Sequence, residues 1–179
     1  MKKAIAIAII ALACTAPGLA QHVWFDPPSS APVEPDFEVT IELAAEGQTV
    51  QGLDILFSFN PDVVTLSGVT AGDWFTASGL DHYFWLNPAP GGEPEAAVQN
   101  VHISAALLGG GRSADGALAV LSFTAVNAGV SPLSFLGLTV RDDQNATLPA
   151  THSTGDEIVI DQSVPAGSRT MSAVKALWR

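Results

Sequence analysis

The sequence predicts an all-β fold, a nine-stranded β-sandwich with jelly-roll topology, and three observations support this prediction. Between residues 22 and 160, short segments of alternating apolar and polar residues are separated by turn residues, as in sandwiches and jelly rolls. This body has no convincing amphipathic helix. Two proline-rich segments, DPPSSAPVEPD at 26–36 and NPAPGGEP at 87–94, cannot pair in a central strand and are expected to be loops, the first crossing between the sheets.

Turn residues set the boundaries of the nine expected strands. Asn60-Pro61-Asp62 ends one strand, because proline has no N–H to donate and the Asn and Asp side chains favour turns. The run of three glycines at 109–111 predicts a turn before the strand GALAVLSFTAV, which is apolar enough to be covered on both faces. The expected strands cover residues 22–25, 37–43, 52–59, 63–69, 82–86, 98–107, 117–126, 133–140 and 157–160.

The strand at 52–59 shows the alternation most clearly. Four apolar residues share the face that is expected to pack in the core: Leu53, Ile55, Phe57 and Phe59. The opposite face is expected to be accessible to a partner, and it carries Asp54, Leu56 and Ser58.

The first 20 residues are typical of a secretory signal. Two lysines precede an apolar run, and small residues lead to a cleavage site after Ala20. The alternative is a lipobox in which Cys14 becomes the lipidated first residue. Either interpretation predicts a bacterial protein that is secreted or held at the cell surface, and no later stretch is long enough to span a membrane.

The remaining chain divides at a change in composition after residue 162. Residues 21–162 are expected to form the sandwich domain. Residues 163–179 carry three basic residues and no acidic one, and they predict a tail that is disordered or forms a short helix. A role in surface retention or in docking a partner is the functional interpretation of this tail.

Charge excludes two classes of partner. All 18 acidic residues lie between Asp26 and Asp161, where Arg112 and Arg141 are the basic residues, so this segment has a net charge of 2 − 18 = −16. Nucleic acids and anionic membrane surfaces require basic surfaces and are therefore not expected as partners. A basic protein surface or calcium could still be attracted.

No catalytic or metal-binding motif is present. The four histidines are scattered, no GxSxG segment occurs, and no pair of carboxylates stands out as a glycosidase dyad. The turn from Arg141 to Asn145, RDDQN, could coordinate calcium, but it lacks the twelve-residue loop with a terminal glutamate. The sequence therefore predicts no enzyme activity, no cofactor and no metal site, with calcium left open.

Three aromatic residues could bind carbohydrate. Tryptophan and tyrosine offer flat apolar faces for sugar stacking, and the candidates are Trp74, Tyr83 and Trp85. The alternative is that they fill the core of the sandwich, as alternating aromatic residues usually do.

Six segments resemble the cohesin family, in the order and spacing of that family. They are VWFDP, FEVTIEL, LDILFSFNPDVVTLSGVTAGDWF, NVHISAALLGG, GALAVLSFTAVNAG and SPLSFLGLTVRD. Together they span almost all of residues 22–160. The resemblance implies the nine-stranded jelly roll that cohesins share with a family of carbohydrate-binding modules.

The resemblance also implies a function. Cohesins bind dockerins, the calcium-dependent helical modules of polysaccharide-degrading enzymes, without catalysis. The position that matches the contacting aspartate of the family is Asp54, with Gly52, Leu56 and Ser58 beside it on the same face. Gly52 stands where the family often has asparagine.

Three hypotheses follow from these observations. A cohesin-like module, the favoured hypothesis, predicts an exposed flat face around Asp54 and Leu56. A carbohydrate-binding module, the alternative, predicts exposed and coplanar aromatic rings. A hydrolase predicts a cleft with paired carboxylates, for which the sequence offers no motif.

Overall fold

The structure, a computed structural model, describes residues 20–27, 36–87 and 99–161. The predicted signal segment, apart from Ala20, the tail, and most of both proline-rich segments lie outside these ranges. The described residues form eleven strands and one short helix: β1 (Gln21–Asp26), β2 (Asp36–Ala44), β3 (Gly52–Phe59), β4 (Val64–Ala71), α1 (Asp73–Thr76), β5 (Asp81–Asn87), β6 (Gln99–Leu108), β7 (Gly116–Ala125), β8 (Gly129–Arg141), β9 (Thr147–Leu148), β10 (Ala150–His152) and β11 (Asp156–Ile160).

The strands form two sheets that pack as a jelly-roll sandwich. The first sheet has the order β10-β1-β2-β7-β4, and the second has the order β11-β8-β3-β6-β5 with β9 beside β8. Neighbouring strands are antiparallel except for the parallel pair of β1 and β10. The predicted fold class is confirmed, and β3 lies at the centre of the second sheet.

All nine predicted strands are present, and two short strands were not predicted. β9 and β10 have two and three residues, too few for an alternating pattern to be recognised. β8 begins at Gly129, before the predicted residue 133, because its first residues pair with β11. None of the helices in the described part of the chain is long and apolar enough to cross a membrane.

The core lies between the two sheets and is rich in aromatic side chains. The inward residues of β3 from Leu53 to Phe59 are at most 3% exposed, which confirms the prediction for that face. Phe57 meets Phe25 with ring centroids 5.5 Å apart, and Phe59 meets Phe123 at 5.3 Å. Each fully buried side chain of this size contributes roughly 1.5–3 kcal/mol of apolar burial, so these contacts hold the sheets together.

A single helical turn, α1, closes one end of the sandwich. It follows Gly72, whose N–H donates to the carbonyl oxygen of Leu118 at 2.9 Å. A Cβ atom on Gly72 would lie 2.1 Å from the carbonyl oxygen of Ala117, so this close approach requires glycine. The side chain of Arg112 donates to the carbonyl oxygens of Asp73 and Trp74 at 3.3 and 2.8 Å. Arg112, one of the two basic residues between residues 26 and 161, therefore has a structural role.

Candidate functional site: the outer face of the second sheet

The predicted partner-binding residues lie in one line along the outer side of β3. Each is flanked by residues of β6 and β8 in the same register. Gly52 lies between Ala106 and Arg141, Asp54 between Ser104 and Thr139, and Leu56 between His102 and Gly137. Since side chains directly opposite in a sheet share a face, the structure brings these residues of three strands together on one surface.

Access to the line differs from one position to the next. Gly52 and Leu56 are partly exposed, and the side chain of Asp54 is 44% exposed. Ser58 is only 7% exposed, so the expectation that it is accessible to a partner is wrong. The period of two places Ser58 on the outer side, but its side chain is buried there.

A polar cluster occupies the centre of the face. The hydroxyl of Ser104 donates to Oδ1 of Asp54 at 2.5 Å, and Nε2 of His102 lies 3.6 Å from the same oxygen. Nε2 of His102 also lies 3.4 Å from the Ser104 hydroxyl. The ring of Trp85 meets His102 edge-to-face, with centroids 5.7 Å apart.

These three residue types do not form a catalytic triad. In a triad, the serine hydroxyl and the carboxylate contact different ring nitrogens of the histidine. Here His102 approaches both groups through Nε2, and Ser104 donates to Asp54 instead of to the histidine. The cluster can offer hydrogen bonds to a partner, but it does not activate the serine as a nucleophile.

Exposed apolar side chains also lie on this outer face, one beside the polar cluster and others farther along the strands. Val130 of β8 pairs with Val159 of β11, and both are about half exposed. Leu136 is 53% exposed and lies next to Leu56, where a bulge in β8 interrupts the register. Leu108 of β6 is equally exposed. Leu56 and Leu136 are therefore neighbouring apolar residues with accessible surface, and of the two only Leu56 is predicted from the sequence.

The three aromatic residues predicted to stack on sugars differ in their exposure. Trp74 is fully buried, and its indole N–H donates to the carbonyl oxygen of Ala114 at 2.7 Å. Its assignment as a sugar-stacking residue is therefore wrong, because α1 turns the side chain into the core. Tyr83 and Trp85 of β5 are 51% and 41% exposed, and both lie on the outer face of the second sheet.

In the turn after β8, the carboxylate of Asp142 accepts hydrogen bonds from the turn itself. Oδ1 of Asp142 accepts N–H groups from Gln144 at 2.9 Å and Ala146 at 2.7 Å. Asn145 adopts a positive φ of 63°, which asparagine tolerates in turns. Within residues 20–27, 36–87 and 99–161, no group of three or more His, Cys, Asp or Glu residues could hold a metal ion.

Comparisons with known proteins identify the fold. No family model and no curated protein matches the sequence. Three solved cohesin structures have a similar fold. A non-cellulosomal cohesin from the archaeon Archaeoglobus fulgidus matches with a TM-score of 0.58 and 16% identity, over 75% of this chain and 86% of that chain. The sixth cohesin of scaffoldin B from Acetivibrio cellulolyticus, in complex with a Cel5 dockerin mutant, has a TM-score of 0.60 and 17% identity, over 80% of this chain and 100% of that chain; the seventh ScaB type I cohesin from Pseudobacteroides cellulosolvens has a TM-score of 0.62 and 18% identity, over 82% of this chain and 96% of that chain. The chain therefore has a cohesin-like fold.

Proposed function

We propose that this chain is a non-catalytic module that binds a dockerin-type protein through the outer face of the second sheet. The observation that carries the proposal is the line of Asp54 and Leu56 at the centre of this face, bordered by the exposed Leu136. The Acetivibrio cellulolyticus cohesin with a similar fold is in complex with a dockerin, which supports a partner of that kind.

The chemistry of the face suits a protein partner. Its exposed apolar residues can be buried on binding, and the carboxylate of Asp54 can accept hydrogen bonds from hydroxyl or amide groups. The net charge of −16 between residues 26 and 161 would speed association with a partner that presents a basic surface.

The proposed place of action is outside the cytoplasm. The signal features of residues 1–20 support secretion or attachment to the cell surface, where polysaccharide-degrading enzymes work. A bacterial source remains a prediction from the sequence, and one of the matching cohesins is archaeal.

A capture experiment tests the proposal directly. The chain without its signal segment is immobilised, and the secreted and surface proteins of the source organism are applied with calcium or with a chelator. Capture of an enzyme that carries a duplicated Asp/Asn-rich helical module, lost on chelation, is the expected result. Retention of the chain on insoluble polysaccharide with no captured protein would contradict it.

Substitutions at the centre of the face should weaken binding without unfolding the module. Asp54→Ala and Leu56→Ala are each expected to lower affinity about tenfold, because residues near the centre of an interface carry most of its energy. Both side chains are partly exposed, so the thermal unfolding midpoint should change little. Calorimetric titration with the captured partner measures the affinity.

Glu38→Ala is the matched control for Asp54→Ala. Glu38 is an exposed carboxylate on β2 of the other sheet, so its removal changes the net charge equally. We expect unchanged affinity for this variant. Equal weakening by both carboxylate variants would indicate a general charge effect and would argue against the proposed face.

A further inference from the structure

A shallow depression lies on the outer face next to the polar cluster, and residues of that cluster line part of it. It has a volume of about 430 Å³, within the range of roughly 300–1,000 Å³ that small-molecule sites occupy. Its centre lies over Gly52 and Ala106, with Tyr83 on one side and Arg141 on the other.

Two small residues create this depression. Tyr83, Ala106, Gly52 and Arg141 are successive neighbours across four strands. At about 4.8 Å per strand, the Cα atoms of Tyr83 and Arg141 lie roughly 14 Å apart. Since Ala106 and Gly52 have almost no side chain, the space between the tyrosine ring and the guanidinium group stays open.

The backbone does not require glycine at position 52. The φ angle of Gly52 is not in the left-handed region, and an added Cβ would make ordinary contacts of 3.6 Å with Ala105 and Ala106. Glycine inside a strand weakens it and often marks a place where a ligand comes close. We therefore attribute the glycine to the open space above it.

The lining combines an aromatic face with planar polar groups. Tyr83 is 51% exposed, and the opposite side carries Arg141 and Asn145. Ser104 and Asp54 line the depression as well. The guanidinium of Arg141 donates one long hydrogen bond of 3.5 Å to the carbonyl oxygen of Asn145, and a guanidinium has five N–H donors.

We propose that this depression is a carbohydrate site that binds one neutral pyranose unit of a polysaccharide. Tyr83 stacks on the apolar face of the sugar, while Arg141 and Asp54 bond its hydroxyl groups. Asp54 and Asp142 also line the depression and disfavour an acidic sugar. Arg141 disfavours a basic side chain of a protein partner. The depression shares Gly52 and Asp54 with the proposed docking face, but Leu56 and Leu136 do not line it. Variants of these two leucines and of Tyr83 therefore distinguish binding of the protein from binding of the sugar.

The test is an NMR titration of the chain without its signal segment. Cellohexaose, xylohexaose and mannohexaose serve as three neutral probes. We expect saturable binding of at least one oligomer, with shifts centred on the amides of Gly52, Tyr83 and Ala106. Tyr83→Ala removes the stacking ring, and Gly52→Leu fills the depression, so each should lower the affinity at least about tenfold.

Gly68→Leu is the matched control, because Gly68 lies in β4 of the other sheet and its added Cβ would also make ordinary contacts, at 3.7 Å. It should leave sugar binding unchanged. The proposal is overturned if no oligomer binds saturably, or if neither Tyr83→Ala nor Gly52→Leu changes the affinity. If Gly52→Leu instead weakens binding of a captured protein while no sugar binds, the depression receives a side chain of that protein. In that case the sugar proposal fails and the proposed function stands.

Discussion

Alanine in place of Trp74 is expected to lower the free energy of unfolding by about 3–5 kcal/mol, as the loss of a buried aromatic side chain does. Trp74 is fully buried, and its ring centroid lies 4.9 Å from that of Phe75. Its indole N–H donates to the carbonyl oxygen of Ala114. The substitution removes packing at the end of the sandwich and takes away that donor.

Trp85→Ala is the matched control, because it deletes the same side chain from an exposed position. Trp85 is 41% exposed, so its loss should change the free energy of unfolding by no more than about 1 kcal/mol. Urea denaturation followed by circular dichroism measures both variants. If Trp74→Ala unfolds at the same urea concentration as the wild type, α1 does not pack as part of the core.

The contrast between these two tryptophans shows what the sequence could predict. Alternation with a period of two identified the inner and outer sides of β3, because eight residues of regular strand show the pattern clearly. Trp74 lies in a helix of four residues, which is too short to show any period. Its burial depends on the ends of β4 and β7, which only the folded chain brings together.

Irregular pairing explains a second difference. Leu136 faces outward because a bulge in β8 shifts its register against β3 between Leu56 and Phe57. Nothing in the local sequence indicates where a strand bulges, since the bulge depends on pairing with a strand distant in sequence. The same limit applies to Ser58, because the period of two predicts its outward side but not its burial.

The depression shows most clearly that a local sequence pattern cannot predict a site formed by several strands. Tyr83, Ala106, Gly52 and Arg141 come from four strands that are far apart in the chain, and no spacing in the sequence relates them. Gly52 departs from the pattern of the cohesins that the sequence resembles, but the open space at this position also depends on the small neighbour Ala106. Candidate residues on one strand could thus be predicted, whereas a site assembled across strands could not.

Lysine in place of Leu136 is expected to weaken binding of the protein partner at least about 100-fold, or roughly 3 kcal/mol. Leu136 is 53% exposed in the free module and lies beside Leu56. In the free protein the lysine ammonium group stays in water, so stability should change by no more than about 0.5 kcal/mol. In the complex the ammonium group would be buried without a partner, which costs several kcal/mol.

Val126→Lys separates this effect from that of charge alone. Val126 is 51% exposed and follows β7 of the first sheet, so the variant has the same added charge at a similar exposure but away from the proposed face. Surface plasmon resonance with the captured partner should show slow dissociation for Val126→Lys, as for the wild type, and fast dissociation for Leu136→Lys. Unchanged binding of Leu136→Lys would remove the outer face of the second sheet as the docking surface. Equal losses in both variants would attribute the effect to the net charge of the module and not to the apolar surface around Leu56.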